Sequence, residues 1–445
     1  METQLTTSKK LILGLQHMFA MFGATVLVPM ITGLNISTTL LFAGLGTLFF
    51  HFVTGRKIPA FLGSSFAYLG AFAAVAPLID GKPNTELLPY ACFGVAVSSI
   101  LYLILAFGIK AYGTSKVMKF FPPVVTGPII VAIGLTLAGS AVNNCATDWL
   151  IALVAIVLVC ICNVFGKGMI RIVPIIIGVI GSYLLAIILG RVDFTPVAEA
   201  AWIGLPIHYN NTVFSIFTNG NIMTGVLITS IVTILPYAIP TIVEHIGDIS
   251  AISETAGKNF IKEPGLHRTL IGDGGATLLA SLFGAPANTT YGENTAVLNL
   301  TKVYDPIVME IAAGFAIIFS FSPKFASIIY CMPTATIGGI SIILYGMISA
   351  VGFRNITESE VDFKDHKNQL IIALIIGLSV GITYSSIGVI SFSIGSVVIS
   401  LSGLAVGSLV GIIVNAIFKL GKDDTEDKLN ISAPLTITDN TNERS

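Results

Sequence analysis

The sequence predicts an all-α polytopic membrane protein of about fourteen transmembrane segments, built as two seven-segment halves of opposite orientation. Three observations predict it. Long apolar runs recur along almost the whole chain, the basic residues gather on one side once those runs are threaded through a bilayer, and two interrupted segments at matched positions echo one another.

Composition fixes the solvent first. Of 445 residues, 11 % are charged and 54 % hydrophobic, about half the charge expected of a soluble domain. A hydrocarbon core ~30 Å thick is crossed by roughly 20 apolar residues, and runs of that order extend from Leu11 to the neighbourhood of Leu420. The lipid bilayer is therefore the chain's main partner. The charges sit in short breaks between runs, so no basic face for nucleic acid exists. The five cysteines, Cys92, Cys145, Cys160, Cys162 and Cys331, lie in or beside apolar segments without paired spacing and read as buried free thiols.

Breaks at Gly, Pro and charge clusters place the spans near 11–31, 37–54, 61–79, 87–109, 121–142, 149–166, 172–190, 222–250, 267–283, 286–301, 306–322, 332–352, 368–387 and 389–418. The first follows Lys9 and Lys10, yet it is long and lacks a small-residue cleavage pattern, so it reads as a span and not as a signal peptide. With the N-terminus inside, every Lys and Arg except Lys82, Arg191 and Lys324 falls on the cytoplasmic side. That bias puts both termini in the cytoplasm and the protein in the cell membrane. Beyond Lys419, the residues Asp423, Asp424, Glu426 and Asp427 begin a tail, 421–445, too polar to bury and expected to be disordered.

An odd number of spans per half inverts the second half relative to the first. The echo supports this: Gly63, Ser64, Ser65, Phe66, Ala67 in the third segment resembles Asn288, Thr289, Thr290, Tyr291, Gly292 in the tenth. Phe121, Pro122 and Gly127 in the fifth are matched by Met332, Pro333 and Gly338 in the twelfth. The third and tenth segments are short and interrupted, which in hydrocarbon strands backbone groups unless they line a protected cavity. Close helix packing through Ser, Thr and Gly explains either run alone; their pairing points to a binding site.

Acids at lipid depth are costly and mark sites. Glu244 and Asp248 lie at i and i+4 on one face of the eighth segment, beside His245, and two carboxylates so close favour proton exchange by one of them. A charged cytoplasmic helix end is the alternative, and it fits Asp248 better than Glu244. Glu293 opens the half-helix after Tyr291 and Gly292, among Asn288, Thr289, Thr290 and Asn294. Glu310 follows Asp305 and Pro306 and reads as interfacial, while Asp273, between Gly272 and Gly274, reads as a packing or capping residue. His17 and His51 read as satisfied bundle histidines, since no metal-ligand spacing is present.

At these residues the chain resembles the nucleobase-ascorbate transporters, also called nucleobase:cation symporters of the second class, and among them the bacterial uracil carriers. The resemblance rests on Gln16 and His17, the run from Pro59 to Ala67, Glu244-His245-Ile246-Gly247, Pro264-Gly265-Leu266-His267-Arg268, and Asn288 to Asn294. It implies a core domain from 1–115 and 221–328, a gate domain from 116–220 and 329–420, short extended strands in segments three and ten, and a homodimer. It also implies that Glu244 and Glu293 accept hydrogen bonds from a base ring, while the backbone N–H groups of Phe66 and Gly292 donate to its carbonyls. Asp248, His17, Ser65, Tyr291, Asn294 and Tyr345 complete the set expected to support binding or proton coupling. Uracil presents alternating ring donors and carbonyl acceptors, which such a ring of partners complements.

Two departures from the family pattern stand out. Asp248 replaces the His of the best-matching uracil carriers, and Ala296 replaces a Gly in the signature that closes with Thr301 and Lys302. Glu293 favours uracil, since purine carriers often have Gln there. A xanthine or other purine permease is the nearest alternative. An anion exchanger of the same plan would want a basic pocket without acids. No nucleophile–base pair or metal triad is in register, so neither an enzyme nor a cofactor other than a coupling proton is expected.

Overall fold

The structure, a computed structural model, describes residues 6–79, 82–118, 121–167, 170, 173–218, 222–394 and 397–420, with backbone alone at 115, 118, 293, 296, 300, 394, 397–399, 419 and 420. The expected disordered tail, 421–445, lies outside the described residues.

Local signals set the helix limits. Helix α1 (Thr7–Thr32) ends on Gly33, whose φ of 79° gives the left-handed turn that closes a helix. Helix α2 (Ile36–Thr54) starts where the Asn35 side chain accepts the Thr38 N–H. Strand β1 (Leu62–Ser64) and the short helix α3 (Leu69–Val75) follow, and α4 (Leu88–Ser98) with α5 (Ile100–Tyr112) make one apolar span. Pro and Asp at first turns begin α6 (Pro123–Cys145), α7 (Trp149–Phe165, capped by Asp148) and α8 (Pro174–Ile188).

The second half runs through α9 (Thr224–Ile234), α10 (Ala238–Ala256), α11 (Leu266–Leu282), strand β2 (Asn288–Thr290) and α12 (Gly292–Thr301). Then come α13 (Pro306–Ser320), α14 (Pro323–Tyr330), α15 (Thr334–Glu358), α16 (His366–Tyr384), strands β3 (Val389–Ile394) and β4 (Val397–Ser402), and α17 (Gly403–Leu420). Among the described residues, seven helices are long and apolar enough to cross a bilayer, or eight if the bent pair α13–α14 counts as one span. Shorter apolar helices accompany them at Trp149–Phe165, Pro174–Ile188 and Gly403–Phe418.

Helix α2 packs against α11 and α13, and α1 against α13, while α15 lies along α6 and α16 against α6 and α17. The α6–α15 crossing is a backbone contact. A Cβ at Gly134 would sit 2.1 Å from the Tyr345 carbonyl oxygen, and one at Gly352 2.6 Å from the Val131 nitrogen, so only glycine lets the two helices meet there.

Three expectations are corrected. The span expected at 389–418 opens as a β-hairpin, because Ile390 and Phe392 alternate with Ser391 and Ser393 in a two-residue period that hydropathy alone does not separate from a helix. The hydroxyls of the facing Ser391 and Ser400 meet at 2.9 Å. The span at 306–322 is followed by a second helix bent 87° from it, where the Ser322 side chain accepts the Phe325 N–H and Pro323 starts a new turn. The cysteines are not uniformly buried: Cys160 is exposed on α7, where an outward helix face has no neighbour, and Cys331 is half-buried.

Strands β1 and β2 pair antiparallel, Leu62 with Thr290, Gly63 with Thr289 and Ser64 with Asn288. All six residues are buried. A two-stranded ribbon leaves an unpaired edge on each strand, which apolar surroundings do not tolerate. Two threonines on flanking helices close those edges. Thr47 of α2 accepts the Leu62 N–H at 2.9 Å; Thr277 of α11 accepts the Asn288 N–H at 3.2 Å and donates to its carbonyl at 2.8 Å. Thr277→Val is therefore expected to strand a buried donor and acceptor at a cost of about 1–3 kcal/mol. The thermal midpoint of the purified protein should fall, and Thr277→Ser should restore it; equal midpoints for Val and wild type would show that the edge has other partners.

Candidate functional site

Both strands leave the ribbon as the start of a half-helix. Beyond β1 the chain continues through Ser65 and Phe66 into α3; beyond β2 it passes Tyr291 and enters α12 at Gly292. Two further bonds lengthen the ladder, Ser65 N–H to the Ala287 carbonyl at 2.8 Å and Tyr291 N–H to the Phe61 carbonyl at 3.0 Å. First-turn N–H groups of a helix lack intrahelical partners, and the dipole makes that end positive. The first turn of α12 thus directs its backbone donors toward this region.

Helix α10 packs against β2 and α12 and brings acids to those donors. Glu244 and Asp248 share its face, one turn apart, and both are half-buried. Asp248 stands close to the strand–helix break, since a Cβ on Gly292 would lie 3.3 Å from its Oδ1. Gly292 itself is exposed, as a residue lining an open site must be. Glu293 occupies the first turn of α12 by its backbone, and its side chain lies outside the described residues.

The supporting residues fall into two sets. Tyr291 is buried; its hydroxyl donates to the Ser64 carbonyl at 2.9 Å and lies 3.4 Å from Thr25 Oγ1, while Ser64 Oγ donates to the Thr25 carbonyl at 2.7 Å. This knot fixes the ribbon to α1. Asn294 Nδ2 donates to His17 Nδ1 at 3.2 Å and to the His17 carbonyl at 3.3 Å, so the ring accepts through Nδ1 and carries its proton on Nε2. On the other side, the Phe66 ring meets Tyr345 edge-on at 5.8 Å. The hydroxyls of Ser65 and Tyr345 are both buried, and Ser341 and Ser140 stand beside that of Tyr345.

The sequence did not reveal the support behind β2. His245 Nδ1 lies 3.0 Å from Thr290 Oγ1 and 3.5 Å from Asp273 Oδ1, with His245 and Asp273 both fully buried. Asp273, expected to pack or cap, pairs with this histidine instead. The signal was present as adjacency: a His next to an acid at i+1 on a helix points away from it, toward the neighbour that needs a polar partner. Among the described residues, no group of three or more His, Cys, Asp or Glu side chains could hold a metal ion.

The end of the bundle that carries Lys10 and Arg56 is tied by ion pairs. Lys10 meets Asp305 at 2.7 Å, and Glu310 lies 3.0 Å from Arg56 and 3.4 Å from His51, whose other ring nitrogen bonds the Ala60 carbonyl at 2.9 Å. Lys57 bonds Glu263 at 2.5 Å and holds that exposed carboxyl below the usual range. Glu310 belongs to this rim and not to the crossing.

A family model described as "Permease family", Xan_ur_permease, matches residues 8–388. The chain is 35 % identical over 427 residues to a protein of Bacillus subtilis (strain 168) named "Uracil permease", covering 93 % of each chain. It is 36 % identical over 419 residues to the "Uracil permease" of Escherichia coli (strain K12), covering 92 % of this chain and 91 % of that one. Among solved structures, the transmembrane domain of a cyanobacterial bicarbonate transporter, BicA, superposes with a TM-score of 0.59 at 14 % identity, covering 92 % of this chain and 96 % of that one. The murine Solute Carrier 26 family member A9 anion transporter gives 0.60 at 11 % identity, covering 94 % of this chain and 69 % of that one. At those identities the likeness concerns the fold.

Gly63 offers a test of the crossing. A Cβ there would lie 2.5 Å from the Tyr291 ring and 2.7 Å from Thr25 Oγ1. Gly63→Ala should push Tyr291 off Ser64 and weaken the site's affinity for its ligand by roughly tenfold or more, read by titration of the purified protein. Wild-type affinity would mean that Tyr291 does not hold the site in shape.

Proposed function

This chain belongs to the permease family that the Xan_ur_permease model describes, and from that premise we propose that it is a secondary active transporter that takes up uracil in symport with protons across the cytoplasmic membrane. The observation that carries this reading is the buried β1–β2 ribbon, from which the chain passes through Phe66 toward α3 and enters α12 at Gly292, while α10 sets Asp248 against Gly292. Relatives named uracil permeases, alike over nine-tenths of their length, support the choice of base.

Uracil offers two ring N–H donors and two carbonyls. The backbone N–H groups of Phe66 and Gly292 donate to the carbonyls; Glu244 and Glu293 accept from the ring. The positive ends of α3 and α12 strengthen the first set. Because uracil is neutral, uphill uptake draws on a coupled ion, and Glu244 binds the proton in the conformation that also binds the base. Asp248, one turn on, stands where the proton is exchanged. Asn294 and His17 fasten α12 to α1, so that the half-helix start does not drift when the base leaves.

The chain has about fourteen membrane segments as a seven-plus-seven inverted repeat, with both termini cytoplasmic. Support for the repeat comes from the ribbon edges: Thr47 serves β1 from the helix before it, and Thr277 serves β2 from the helix before it. A core domain, 1–115 and 221–328, carries the ribbon; a gate domain, 116–220 and 329–420, presents Tyr345 to Phe66 and moves relative to it during alternating access. Two copies form a dimer.

Labelled uracil uptake into cells or vesicles is expected to rise as the outside is acidified and to collapse with a protonophore; uptake that ignored the proton gradient and followed sodium would sink the coupling. Glu244→Gln and Glu293→Gln should each abolish uptake, whereas Glu310→Gln should leave most of it. If both pocket variants accumulated uracil normally, the site would lie elsewhere.

A further inference from the structure

A cavity of about 260 Å³ lies beside the crossing without being part of it. Its wall includes Phe66, yet Glu244, Asp248 and Gly292 do not border it. One side is the face of α3 formed by Gly70, Ala73 and Ala74, of which the two alanines are exposed. Small residues in that register make a flat surface. Tyr237, from the turn between α9 and α10, stands on another wall against Gly70: a Cβ at Gly70 would come 3.0 Å from its hydroxyl. That hydroxyl is buried, and Ser402 of the same wall stands beside it. The apolar remainder comes from α6 and from the ends of the β3–β4 hairpin.

We propose that this cavity is a staging site, in which one nucleobase rests flat against α3 before it moves past Phe66 to the acids. The proposal rests on the transport reading and adds a second position for the same cargo. Continuity argues for that occupant, because the cavity shares Phe66 with the binding crossing and no charged side chain borders it. Its volume sits just below the roughly 300 Å³ at which pockets for drug-sized ligands begin, which is ample for a single planar base. The slot gives such a ring a flat apolar seat, and the Tyr237 hydroxyl gives one carbonyl a partner. A neutral ring is held loosely there, since the lining offers burial and the hydroxyls of Tyr237, Thr136, Thr383 and Ser402 but no carboxylate.

The test uses the full-length protein with Ala74→Cys, modified by a bulky maleimide and assayed for uptake of labelled uracil. None of the five native cysteines borders the cavity, so wild type treated alike is the control. Modification of Ala74→Cys should abolish uptake, and excess unlabelled uracil should slow the modification. Tyr237→Phe should raise KM about fivefold through the lost hydrogen bond and leave Vmax unchanged. Complete modification with uptake intact would overturn the staging site, as would a wild-type KM in Tyr237→Phe. Should Ala74→Cys be inactive before treatment, Ala73→Cys is read in the same way. A wild type that neither binds nor takes up uracil would instead sink the transport reading itself.

Discussion

Everything at the centre of this protein depends on satisfying backbone polar groups where water is scarce. Two three-residue strands meet among apolar helices, and each brings an edge of N–H and C=O groups that lipid cannot pair. The ladder between the strands serves one side of each. The side chains of Thr47, Thr277 and Tyr291 serve groups on the other side, while the Ser64 hydroxyl bonds the Thr25 carbonyl and Asn288 Nδ2 the Phe42 carbonyl at 2.9 Å, tying the ribbon to α1 and α2. These side chains are short or rigid, so they hold the ribbon in one position at little cost in rotamer entropy.

Once the ribbon is fixed, its consequences are electrostatic. Strand β2 runs into α12 at Gly292, and β1 leads through Phe66 toward α3. On the proposed reading, backbone donors there meet the carbonyls of the ligand, and acids from α10 complement its N–H groups. The outer frame repeats the logic with less strain: glycines at 134 and 352 let α6 and α15 touch through their backbones, which makes that pair a stiff wall opposite the ribbon.

The readable part of this design is the part carried by period and by cost. Apolar runs indicate the helices, and Gly, Ser, Thr and Asn interrupt two of them at 63–67 and 288–292, where the family resemblance implies strands and the structure has Leu62–Ser64 and Asn288–Thr290. Acids in apolar surroundings drew attention to Glu244 and Asp248 for the same reason: such groups are expensive unless used. Hydropathy failed at 389–402, where valines, isoleucines and serines form a hairpin with the same mean polarity as a span. It also missed Thr47 and Thr277. A threonine inside an apolar helix looks like a tolerated packing residue, and only the tertiary neighbour shows that its hydroxyl faces a strand edge instead of its own helix alone. His245 and Asp273 escaped similarly, since their partnership joins two helices across 28 residues of sequence.

The competing anion-carrier reading turns on the same geometry and is decided by side chains. Two helix starts converging on one point form an anion site by default, because their unpaired N–H groups and dipoles both favour negative charge. A fold that only converged such ends would bind a small anion. Here α10 adds Asp248 against Gly292 and Glu244 one turn away, and the sequence places Glu293 at the head of α12. Ionised carboxylates beside those donors repel an anion and compete with it for the same N–H groups. The cargo that gains most from both sets of groups is uncharged, with acceptors for the helix starts and donors for the acids. On the proposed reading a neutral cargo brings no charge on which a membrane gradient can act, so the acid proposed to recognise it is also the group proposed to carry the driving proton.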